Sequence, residues 1–115
     1  MPDTLPGIDI DGALQNLRCD LPTFRKILLT FYCQRKGNYK EISTLLAQGE
    51  LEQASDLAHG LMGSSGYLGA WKLHHEAVAM EEACRAGDPE VAMRLLPKFC
   101  RCFDEVMAGL GRNDK

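Results

Sequence analysis

Apolar residues recur every three or four positions along most of the chain, the spacing of helices that each bury one stripe. Ile10, Leu14 and Leu17 set out a short first stripe, which Asp9 or Asp11 can cap and Cys19-Asp20 ends. A second helix starts at Asp20, with Pro22 in its first turn, where a missing N–H is harmless. Its stripe is Leu21, Phe24, Ile27, Leu28 and Phe31. Lys36-Gly37-Asn38 reads as a break, with Asn38 as cap for a segment carrying Tyr39, Ile42, Leu45 and Leu46. Gly49 suits the position just past that segment, and Glu50 opens the next helix.

That next helix holds Ala54, Leu57, Ala58, Leu61, Ser65 and Leu68 on one face, and a turn is expected around residues 66–69. Ala70, Leu73, Ala77, Met80 and Cys84 form the following stripe, which Gly87-Asp88-Pro89 ends. Asp88 and Pro89 then cap and start a last helix with Val91, Leu95, Phe99, Phe103, Val106 and Leu110 on its buried side. Pro97 lies inside that pattern and is expected to kink or split it. No stretch alternates in the manner of a strand. The fold class is therefore all-α. Short connections favour an antiparallel up-and-down four-helix bundle, with a short extra helix at the N-terminus. The expected division is an arm over residues 1–8, a bundle over 9–111 and a frayed tail over 112–115.

Composition narrows the function classes. The 115 residues suffice for one domain with its own core. A net charge of −3 argues against a nucleic-acid binder. No apolar run is long enough to cross a bilayer and no basic leader precedes one, so a cytoplasmic setting without membrane contact is expected. The five cysteines include no Cys-x-x-Cys pair, and neither a zinc site nor a disulfide framework is expected. Cys33 and Cys84 read as small core residues.

One helix carries unusual chemistry. At roughly 100° per residue, His59 stands well away from the apolar face of its helix, on the side shared by Glu52, Ser55, Asp56, Met62, Gly63 and Gly66. Gly60, Gly63 and Gly66 each weaken a helix by about 1 kcal/mol relative to alanine. Glycines around an outward imidazole remove side chains that would hold another protein away from the ring. The plain alternative is a helix that ends in a Gly/Ser loop and carries an ordinary surface histidine.

The run His59-Gly60-Leu61-Met62-Gly63-Ser64-Ser65, followed by Leu68-Gly69-Ala70 and Leu73, resembles the histidine phosphotransfer (HPt) domain family. That family's pattern is roughly Ala-His-x-Leu-Lys-Gly and two small residues, then Leu-Gly-Ala. Ala58, His59, Leu61, Gly63, Ser64, Ser65, Leu68, Gly69 and Ala70 match it. Met80-Glu81-Glu82 with Arg85-Ala86-Gly87-Asp88, and the Leu5-Pro6-Gly7-Ile8-Asp9 opening, are similar to other parts of such domains.

The resemblance implies that His59 accepts a phosphoryl group from a response-regulator receiver aspartate and passes it to another. It implies partner contacts at Ser55, Asp56, Gly60, Met62, Gly63 and Gly66, with Ser64 and Ser65 in support. Receiver domains and a sensor or hybrid histidine kinase are the implied partners, and a monomer is expected. The chain would need no cofactor of its own, no metal site and no kinase activity, and Mg²⁺ would sit on the receiver. One position departs from the pattern: Met62 stands where the family has Lys. A positive charge would then come from elsewhere, with Lys36, Lys40 and Lys72 as candidates. A helical module that docks a receiver or kinase without carrying phosphate is the alternative.

Other residues read more plainly. His74 and His75 point about 100° apart and do not form a metal pair. Glu76, Glu81 and Glu82 read as a solvated acidic face, Tyr67 and Trp71 as anchors for a turn, and Met80, Met93 and Met107 as core filler.

Overall fold

Aspartates open three of the helices. In the computed structural model, which describes residues 7–112, Asp9 accepts a hydrogen bond from the Gly12 N–H at 3.1 Å and starts α1 (Ile10–Leu17). Asp20 accepts one from the Thr23 N–H at 2.8 Å and starts α2 (Leu21–Arg35). Asp88 accepts one from the Val91 N–H at 3.2 Å and starts α6 (Pro89–Arg112). Each carboxylate satisfies an N–H that has no partner within its own first turn. Between them run α3 (Asn38–Ala47), α4 (Leu51–Tyr67) and α5 (Trp71–Arg85). No strand forms among the described residues, and the fold is all-α.

Glycines close three of these helices at positive φ. At Gly49 the Glu50 N–H donates to the Leu45 carbonyl and the Gly49 N–H to the Leu46 carbonyl, the paired bonds that stop a helix and turn the chain. Gly69 also receives the start of α1. The Asp9 N–H donates to the Gly69 carbonyl at 2.8 Å, and a Cβ on Gly69 would lie 2.5 Å from the Asp9 carbonyl oxygen. Only glycine allows that approach.

The predicted stripes meet in one core. Phe24 and Leu28 of α2, Ile42 of α3, Leu61 of α4, Leu73 and Met80 of α5, and Phe99 and Phe103 of α6 are buried. Side chains of this size contribute about 1.5–3 kcal/mol each when fully buried. Helix α4 packs on α5 and α3, α5 on α6, and α6 also meets α3 and α2. The small Ala54 and Ala58 of α4 and Ala77 of α5 are fully buried among them. No helix among the described residues is long and apolar enough to cross a membrane.

Several local expectations change. The turn expected around residues 66–69 falls at Leu68 and Gly69, after α4 has run through Gly66 to Tyr67, because its buried face continues to Ser65 and Leu68. Asn38 is a buried first residue of α3 and not its cap, since its side chain is engaged by Arg35 and Glu41. Pro97 does not split α6. It has no N–H to offer the Met93 carbonyl, and both residues are on the exposed side, where water can serve. Cys33 is exposed, not in the core, and so is Met93. Tyr67 and Trp71 are also exposed, although the Trp71 indole N–H donates to Asp9 at 3.4 Å. Of the expected arm, residues 1–6 lie outside the described ones, while Ile8 packs against the core. Of the expected tail, 113–115 lie outside them and Arg112 ends α6.

Candidate functional site

Helix α4 survives its three glycines because of what lies on either side of them. Its apolar face packs against α5 and α3, and two of its serine hydroxyls find acceptors inside the helix, Ser64 Oγ donating to the Gly60 carbonyl at 2.9 Å and Ser65 Oγ to the Leu61 carbonyl at 2.6 Å. Ser65 is fully buried, while Ser64 is half-buried.

His59 projects from the middle of this helix with 59% of its side chain exposed. Its Nδ1 lies 2.6 Å from Oε2 of Glu81 on α5, and the Glu81 side chain is only 11% exposed. A carboxylate can only accept. The proton of a neutral ring therefore sits on Nδ1, and the lone pair on Nε2. Nε2, on the opposite edge of the ring, has no hydrogen-bond partner among the described residues. Arg85, one turn beyond Glu81, approaches the same carboxylate oxygen at 3.6 Å and donates from Nε to Ser55 Oγ at 3.3 Å. The sequence puts these groups 22 and 26 positions from His59; packing of α5 on α4 brings them together.

The three glycines have three different surroundings. Gly63 is open: a Cβ there would meet nothing within 4 Å. A Cβ on Gly66 would lie 2.8 Å from Nδ1 of His74, whose ring fills that space while Nδ1 donates to the Met62 carbonyl at 2.8 Å. A Cβ on Gly60 would lie 3.2 Å from both terminal nitrogens of Arg35, the last residue of α2. Gly60 and Gly66 are thus occupied from within the chain. Ser55 is buried under Arg85, Asp56 is exposed, and Met62 packs half-buried against the core.

Beside Gly63 a groove of about 480 Å³ runs between α2 and the end of α4, lined by Ile27, Phe31 and Gln34 on one side and Ser64 and Tyr67 on the other. Tyr67 is 55% exposed at its edge.

A scan of the chain against family models finds the Hpt domain, matched over residues 36–109. The match covers more than half of the chain. The chain belongs to the Hpt domain family. This is a family of histidine phosphotransfer in phosphorelays, whose members interact with response-regulator and kinase domains. No curated protein and no solved structure matches the chain.

Within this Hpt domain, two glutamates differ from the solvated face expected of them. Glu81 is buried against His59, and Glu76 is buried and paired with Lys98 of α6 at 3.0 Å. Glu82 alone of the three is exposed. A signal for Glu81 was available: it stands four residues after Ala77 and three before Cys84, inside the buried stripe of α5. A carboxylate there needs a partner. Among the described residues no hydrogen bond or ion pair joins Lys36, Lys40 or Lys72 to His59: Lys36 lies over the Tyr32 ring, and Lys40 lines a groove with Asp56 and Leu57. Among the described residues no cluster of three or more His, Cys, Asp or Glu is placed to hold a metal ion.

Proposed function

We propose that this Hpt domain is a phosphorelay intermediate in a two-component system, in which His59 takes a phosphoryl group from a receiver aspartate and hands it to a second receiver. The observation that carries the proposal is the His59–Glu81 pair. It fixes the ring by Nδ1 and leaves Nε2 as an exposed nucleophile. In the forward step Nε2 attacks phosphorus in line, the N–P bond forms, and the bond from phosphorus to the aspartyl oxygen breaks. The aspartate leaves as a carboxylate. Phospho-His59 retains its Nδ1 proton, and the Glu81 carboxylate stabilises the ring while it is cationic. The reverse step on a second receiver regenerates the neutral ring.

The partner supplies the rest. A Mg²⁺ ion belongs to the receiver, and this chain acts without a cofactor or a kinase activity of its own. The open surface at Gly63 and the groove between α2 and α4 support docking of a receiver on the His59 side. We read the bundle as an antiparallel up-and-down four-helix bundle in which α2 and α3, broken at Gly37, count as one helix and α1 is the extra one. The chain works as a cytoplasmic monomer.

Met62 in place of Lys favours a second reading, a module that docks a receiver without carrying phosphate. The two separate in one experiment. A panel of phosphorylated receivers is incubated with the wild type and His59→Gln. Acid-labile, base-stable label on the wild type and none on the variant supports transfer. Stable complexes without label on either support docking alone.

A further inference from the structure

We propose that Arg35 is the phosphoryl-binding cation of this domain, serving from α2 the role that no side chain of α4 can serve. The inference rests on the phosphotransfer function proposed above. Between Leu51 and Tyr67, α4 contains neither Lys nor Arg, while Glu52 and Asp56 give it negative charge near His59. Met62 offers a thioether, half-buried against the core.

Arg35 comes to the site from outside the helix. Its guanidinium lies against Gly60, the residue after His59, in the space a side chain at that position would take. Nη1 donates to Asn38 Oδ1 at 3.3 Å and Nη2 to Ser64 Oγ at 3.4 Å. Both bonds are at the long limit for N–H···O, and both partners are neutral oxygens that a phosphoryl oxygen can replace. Among the described residues no carboxylate lies within 4 Å of Arg35, whereas Arg85 and Arg94 each have one. A guanidinium has five N–H donors in a fork that matches phosphate oxygens two at a time.

The order of groups round α4 leaves room for the phosphoryl group. At about 100° per residue, Gly63 lies between His59 and the Gly60–Ser64 side that Arg35 covers. Gly63 is also the glycine with open space above it. A group on Nε2 can thus stand over Gly63 with the imidazole on one side and the guanidinium on the other.

The test uses phosphoramidate, a small donor that needs no partner protein: its P–N bond breaks, ammonia leaves, and the phosphoryl group bonds to Nε2. Uptake is followed by ³¹P NMR in the wild type, Arg35→Gln, Arg35→Lys and Arg35→Gln with Met62→Lys, with helicity checked by circular dichroism. Arg35→Gln keeps a polar side chain at this position but not the charge. The expected result is roughly tenfold slower uptake in Arg35→Gln, a shifted phosphohistidine resonance, and recovery with Lys at either position. Wild-type rate and resonance in Arg35→Gln would overturn the role of Arg35 alone. Equal loss in Arg35→Gln and Arg35→Lys, with no recovery by Met62→Lys, would make Arg35 a structural residue. A wild type that takes no label at His59 from phosphoramidate or from any receiver would remove the underlying phosphotransfer function as well.

Discussion

Glu81 holds His59 by Nδ1 at 2.6 Å across the α4–α5 contact. One carboxylate, nearly covered, meets an imidazole that is mostly uncovered. The pair sets the tautomer and aim of the ring, and it stabilises the positive charge that appears when Nε2 acquires phosphorus. Glu81→Ala should therefore slow phosphoryl uptake from a phospho-receiver by at least about tenfold, equivalent to about 1.4 kcal/mol of barrier. Glu81→Gln, which can still accept from Nδ1–H, should lose less. Equal rates for wild type and Glu81→Ala would show that the ring needs no partner.

The glycines of α4 should respond differently to the same substitution. Gly63→Ala adds a methyl group to open space and should raise stability by about 0.5–1 kcal/mol in denaturant unfolding. Gly66→Ala has the same helix gain but must displace the His74 ring, which is tied to the Met62 carbonyl. It should be less stable than Gly63→Ala. Matching gains would mean that His74 moves aside freely.

The cap of α2 should titrate. The hydroxyl and backbone N–H of Thr23 hold the Asp20 carboxyl below its ordinary range. A carboxyl lowered in the folded state stabilises above its unfolded pKa, about 3.9, and that contribution is lost as pH falls through the lowered folded value. Asp20→Ala should melt at a lower temperature than wild type at pH 7, and the gap should narrow below about pH 4. A gap that stays constant from pH 7 to pH 2 would contradict this.

Thiol labelling should follow burial. Burial pushes the Cys84 thiol up, and burial followed by the nearby Glu76 carboxylate does the same for Cys102. Cys33 is exposed on α2. Under native conditions iodoacetamide should modify Cys33 first and Cys84 last, because the thiolate is the reactive form. Mass mapping that finds Cys84 modified as fast as Cys33 would contradict the packing of α5.

The elements were legible where local chemistry dictates them. Asp20 followed by Pro22, Gly49 after Leu46, and Asp88 before Pro89 act through their own or adjacent turns, and each marks the boundary it was expected to mark. The outward His59 was legible too, since helical phase alone sets it apart from Ala58 and Leu61. What the chain order hides is which helix covers which polar group. Ser55 and Asp56 are neighbours on α4, yet Arg85 buries one and the other stays exposed. Gly60 and Gly66 looked like clearances for a visitor, but Arg35 and His74 fill them from α2 and α5. Periodicity reports which side of a helix is apolar; it carries no information about a partner 22 residues away.

Phosphoryl transfer turns on one nitrogen atom, Nε2 of His59. Ring ¹⁵N NMR of His59, before and after transfer from a phosphorylated receiver, tests it most directly. A proton is expected on Nδ1 before and after transfer, and phosphorus coupled to Nε2 in the product. Phosphorus on Nδ1, or on any residue other than His59, would contradict it.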